Sequence, residues 1–94
     1  MALSTIPSPT GLKLDKVGAD FLRIDSQVAL TLSGIALAAT DKETRRHALT
    51  VARKAHDTVL RLMNRFELTH SQREKLDTNL QRLQTELRSL GQII

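Results

Sequence analysis

Three apolar stripes, each stepping by threes and fours, run through this 94-residue chain with short polar breaks between them. The first is Val17, Phe21, Ile24, Val28, Leu32, Ile35, Ala39. The second is Ala48, Ala52, Ala55, Val59, Leu62, Phe66, widened by Val51 and Met63, and the third is Leu76, Leu80, Leu83, Leu87, Leu90. Steps of three and four repeat a side of an α-helix, whereas a half-buried strand alternates every second residue. No run of β-branched alternation competes. The spacing predicts helices over about 15–39, 41–66 and 70–90, each on the order of 30–40 Å long at 1.5 Å per residue.

The breaks fall around Thr40–Asp41 and Glu67–Thr69. Connections that short force neighbouring helices to run antiparallel. The expected fold is all-α, an antiparallel three-helix up-down-up unit over residues 15–94. Residues 1–14, with Pro7, Pro9 and Gly11, read as a flexible N-terminal arm. Thr40 with Glu43 forms a capping-box pattern, as do Thr69 with Gln72 and Ser71 with Glu74. Gly91 stands where a C′ glycine ends a helix. Gly18 weakens the front of the first helix by about 1 kcal/mol relative to Ala.

Ser26–Thr40, "SQVALTLSGIALAAT", holds no charged residue. It is short for a bilayer, which needs about 20 apolar residues, and Ser, Thr and Gly punctuate it. No membrane association is expected. With Val28 at zero on a helical wheel, Leu32, Ile35 and Ala39 fall within about 40° of it and Leu30 and Leu37 near 180°. The first group is expected to face the other two helices. Leu30 and Leu37 then need another cover, and a helix apolar nearly all round is normally buried all round. A chain this small buries a modest share of its surface. The N-terminal arm with Leu3, Ile6, Leu12 and Leu14, a second copy or another protein would cover those two leucines; the leading expectation is a homodimer through the first helix, joining two units into a larger helical bundle. Leu22, Ala29, Leu30, Ser33, Gly34 and Leu37 are the candidate self-association residues, with Ser33 and Gly34 allowing close approach.

The net charge is +4 and the excess sits mid-chain: residues 41–67 carry seven basic residues against four acidic. Arg46, Arg53, Lys54, Arg61 and Arg65 form a candidate basic face on the second helix, able to meet phosphates. Glu43, Asp57 and Glu67 interrupt it. The only aromatic residues are Phe21 and Phe66, which argues against base-stacking platforms. Nucleic-acid association through this face is the alternative reading.

Chemistry-bearing patterns are missing. A helical metal site wants ligands at i and i+3 or i+4, whereas His47 and His56 are nine apart and His70 sits in a capping turn. Neither His47 nor His56 is followed by the Lys-Gly of histidine phosphotransfer domains. "GLKLDKVG" lacks the Gly-Lys-Ser/Thr of a phosphate loop. There is no Cys, hence no disulfide framework and no thiolate chemistry. No catalytic residue, metal or cofactor is expected, and the chain is not read as an enzyme. The N-terminus lacks a basic stretch followed by an apolar run, so no signal peptide is read and a cytoplasmic setting is expected.

Residues 33–55, "SGIALAATDKETRRHALTVARKA", resemble one tetratricopeptide repeat. Gly34, Ala36 and Leu37 match that repeat's first-helix glycine, small and bulky positions. Ala48, Ala52 and Ala55 follow its second-helix spacing, with Ala52 in place of the usual aromatic. The gap between the halves is two residues too long, and no Pro closes the unit. Similar small-residue patterning occurs in microtubule-interacting-and-transport domains. Both families bind peptides or partner helices, so the resemblance implies a protein-interaction or structural module with a protein partner.

Overall fold

The computed structural model describes the backbone of residues 9–94 and the side chains of residues 15–94. Over the described residues it is helical, with α1 (Pro9–Ala38), α2 (Lys42–Leu62) and α3 (His70–Ser89) and no strand. Residues 1–8 of the expected arm lie outside the described residues. From Pro9 the chain is already helical, six residues ahead of the expected start. Proline's fixed φ and missing N–H suit a first turn.

The caps carry local sequence information well. Asp41, one residue past the expected Thr40, is the N-cap of α2 and accepts from the Thr44 backbone N–H at 2.9 Å. Hydrogen bonds to Thr44 hold the Asp41 carboxyl below the usual carboxylate range. A carboxylate at that end is also favoured by the helix dipole. Thr69 and Gln72 form the expected reciprocal capping box on α3: the Gln72 N–H donates to Thr69 Oγ1 at 3.1 Å and the Thr69 N–H to Gln72 Oε1 at 2.9 Å. At the other end Gly91 adopts φ 88°. The Gln92 N–H reaches the Leu87 carbonyl and the Gly91 N–H that of Arg88, the two bonds of a Schellman motif.

α2 stops at Leu62, four residues before its expected end. Phe66 therefore belongs to the connection into α3. It folds back so that its ring lies on the α1 backbone at Gly18. The Glu67 N–H donates to Asp15 Oδ1 at 3.3 Å, fixing the same corner.

The core has two linked clusters. Leu22 packs with Val59, Met63, Leu76 and Leu80; further along, Ala29 packs with Ala52, Leu83 and Leu87. The leucine stripe of α3 is inward as expected, Leu76 to Leu87 being buried and Leu90 half-buried. Ala48, Ala52 and Val59 of α2 are likewise buried, with His56 and Met63 beside them.

The expectation for α1 is overturned except at Leu32, which is half-buried against the Ala29–Ala52–Leu83–Leu87 cluster. The face it buries is Ala19, Leu22, Ser26, Ala29, Ser33 and Ala36. These residues also step by threes and fours, a second helical seam interleaved with the first. Val17, Phe21, Ile24, Val28 and Ile35, expected in the core, are exposed. The reason is volume. α3 contributes four buried leucines, and α2 adds Val59, His56 and Met63. Large side chains on one helix pack best against small ones on the next, and each fully buried leucine is worth about 1.5–3 kcal/mol. The Ala/Ser seam lets α1 approach both neighbours closely, whereas α2 and α3 meet through longer side chains.

Polar bonds match that choice of seam. Ser26 donates to the Arg23 carbonyl at 2.8 Å and accepts from Asn79 Nδ2 at 3.1 Å. Ser33 donates to the Leu30 carbonyl at 2.9 Å and also contacts the Glu86 carboxylate. Both Ser26–Asn79 and Ser33–Glu86 span 53 residues, so two rungs one heptad apart set the α1–α3 register. Among the described residues no buried side-chain N or O atom lacks a partner.

Candidate functional site

Inverting α1 splits the expected self-association set. Leu22, Ala29 and Ser33 lie at 0% exposure inside the single chain. They cannot form an outer surface, because the core already uses them. Leu30 is half-buried and packs against the Ala29–Ala52–Leu83–Leu87 cluster. Only Gly34 and Leu37 remain exposed, and among the described residues no atom outside its own turn of helix lies within 4 Å of a Cβ built at Gly34.

The surface that emerges is the stripe first expected in the core. Val17 is 63% exposed, Phe21 45%, Ile24 51%, Val28 46% and Ile35 43%. Thr31, also exposed, falls between Val28 and Ile35, with its hydroxyl donating to the Gln27 carbonyl at 3.1 Å. Residues 17, 21, 24, 28, 31 and 35 thus make an unbroken 4-3-4-3-4 ladder on one side of α1, a heptad seam in spacing. From Val17 to Ile35 it runs about 27 Å at 1.5 Å per residue. Contiguous apolar patches of a few hundred Å² on a small protein mark interaction sites.

A shallow groove lies between this seam and α2, lined by Phe21, Asp25, Val51, Lys54, Ala55 and Thr58. Partial burial in it raises the Asp25 carboxyl above its ordinary range. Lys54 lies on the opposite wall of the groove. A separate cleft between α1 and α3, reaching Ala19, Arg23, Leu68 and Leu76, measures about 180 Å³. That is below the 300–1,000 Å³ of typical ligand pockets.

The candidate basic face is exposed at four of its five residues. Arg53 is drawn aside: its Nε pairs with Asp57 at 3.1 Å, and its Nη1 donates to Gln92 Oε1 and the Ile93 carbonyl, each at 3.1 Å. Lys54, Arg61 and Arg65 are exposed, and Arg46 lines a shallow surface hollow with Glu43 and His47. His56, 1% exposed, is a structural residue of the α2–α3 contact. Its Nδ1 bonds Asp57 Oδ1 at 2.9 Å and its Nε2 lies 3.2 Å from Gln84 Nε2. Among the described residues no group of three or more His, Cys, Asp or Glu is placed to hold a metal ion.

The segment Asp15–Ala38 of α1 is long and apolar enough to cross a membrane by length and composition, an 18-residue window within it having mean hydropathy 1.2. Outward Phe21, Ile24, Val28 and Ile35 and inward or half-buried Leu22, Leu30 and Leu32 together supply that apolar character. The same segment carries Asp15, Lys16, Asp20, Arg23 and Asp25, and its inward serines are bonded to α3.

Compared with protein-family models, curated proteins and solved structures, the chain matches none. The likeness of residues 33–55 to one tetratricopeptide repeat therefore gains no support from them.

Proposed function

We propose that this chain is a non-enzymatic helical interaction module that self-associates through α1. The chain is read as running up α1, down α2 and up α3, so that two copies joined along α1 make a six-helix bundle. The observation that supports this is the outward seam: five large apolar residues in heptad spacing on a face the chain's own core does not use. A seam of that kind is how one helix recruits another in water. α1 is read as a bundle helix rather than a membrane span, because charged residues and bonded serines in a spanning helix are costly.

Light scattering on the purified chain, with Ile24→Glu/Val28→Glu beside it, tests the reading. The parent chain is expected as a dimer and the double variant as a monomer of unchanged helical circular dichroism. A parent chain that stays monomeric at every concentration overturns self-association. So does one that instead partitions onto anionic vesicles.

A further inference from the structure

The outward seam of α1 is self-complementary in only one direction, and we infer that two copies pair antiparallel along it about a twofold axis level with residue 26. The inference rests on the self-association proposed above.

An antiparallel helix pair sets residues equally spaced about a centre opposite one another. Centred on position 26, Ile24 meets Val28 of the second copy, Phe21 meets Thr31, and Val17 meets Ile35. Every seam residue is used, and the largest side chain, Phe21, falls opposite Thr31, the smallest. Such large-to-small matching is what a close-packed interface requires. Flanking residues pair about positions 25 and 27 instead, so at the seam's edge Asp20 falls nearest Gly34, where no described side chain lies within 4 Å of an added Cβ.

A parallel, in-register pair matches side-chain size less well. It stacks Phe21 on Phe21 and Thr31 on Thr31, one layer overfilled and one underfilled. It also sets Asp20 beside Asp25 of the other copy twice, since flanking residues five apart meet in a parallel coil, and like charges there select against the pairing.

Antiparallel pairing brings the α2 sides of both copies to the same edge. The two Asp25 carboxylates then approach the axis, each with a Lys54 across the groove that Asp25 and Lys54 share within one chain. Within the chain no hydrogen bond or ion pair to Asp25 is formed among the described residues. In the pair, two acids and two bases alternate at the axis. Opposite charges so placed fix orientation and register.

The chain has no cysteine, so single cysteines at exposed, polar Gln27 and Lys16 give clean spin-label positions. Electron double-resonance distances are expected to be short for the Gln27 label. For the Lys16 label they should exceed about 30 Å, since its two copies are twenty helical residues apart along the axis. Short distances at both positions overturn the antiparallel pairing and leave self-association standing. Absence of dipolar coupling at both, with a monomer by scattering, overturns both readings. As a second test, Lys54→Glu is expected to weaken the dimer at least tenfold, and Asp25→Lys/Lys54→Glu to restore it. An unchanged dissociation constant in Lys54→Glu overturns the charge pairing at the axis.

Discussion

Phe66 rests on Gly18 so closely that a Cβ added to the glycine would collide with the ring. A connection residue is thus seated in a notch on a helix that only glycine provides. The contact reverses the ordinary sign of a helical glycine substitution. Gly18→Ala should gain up to about 1 kcal/mol from propensity, but overpacking costs about 1–3 kcal/mol. The net expectation is destabilisation, read as a lower urea midpoint. Phe66→Leu added to Gly18→Ala should recover part of the loss, which separates the clash from any other effect of alanine.

The inverted α1 gives a paired test. Ala29→Leu places a leucine in the fully buried seam and should destabilise the monomer by about 1–3 kcal/mol through overpacking. Val28→Ala, one residue away but half exposed, should change monomer stability by under about 0.5 kcal/mol. Both belong on the Ile24→Glu background, so that dimer formation does not contribute. The reverse ranking would restore the face expected from the sequence.

Acid should unfold the chain partly through Asp57. Burial alone would raise its carboxyl, but hydrogen bonds from His56 and Arg53 outweigh that and hold it below its ordinary value. A depressed carboxyl contributes stability that is fully present above its unfolded pKa, about 3.9, and is lost as pH falls through the lower folded value. Asp57→Asn should therefore lower stability at neutral pH and flatten the loss below about pH 4, measured by thermal melts across pH. Asp25 has the opposite sign. Burial raises its folded value, so its contribution is present below the unfolded pKa and lost as pH rises through the folded one. On the monomeric background Asp25→Asn should stabilise the chain at pH 7.

Gly91 closes α3 in a left-handed conformation with open space where a Cβ would go. Gly91→Ala should cost about 1 kcal/mol from backbone strain alone. Gly91→Asn should cost less, since Asn tolerates that conformation better. Chemical denaturation of the two variants side by side gives the comparison.

Local signals in this sequence were legible because local physics settles them. The Thr69–Gln72 box, the Gly91 terminus and the leucine stripe of α3 each depend on residues within one or two turns. The cap of α2 lay one residue from where it was read, since Asp41 and Thr40 are both good caps and the carboxylate took the position. The early end of α2 was not legible. Phe66 continues the helical spacing, and only the notch at Gly18, forty-eight residues away, draws it out of the helix.

The spacing of apolar residues by itself determined that this chain makes three helices in this order, and which sides of α2 and α3 turn inward. For α1 it supplied two seams of the same period, one bulky and one small, and hydrophobicity favoured the bulky one. The tertiary structure decided between them. Four leucines already project from α3, Val59 from α2 and Met63 from its C-cap, so apart from a place for Leu22 the space left for α1 admits alanine and serine at close approach. That choice turns Val17, Phe21, Ile24, Val28 and Ile35 outward and makes a surface of what the sequence presented as core.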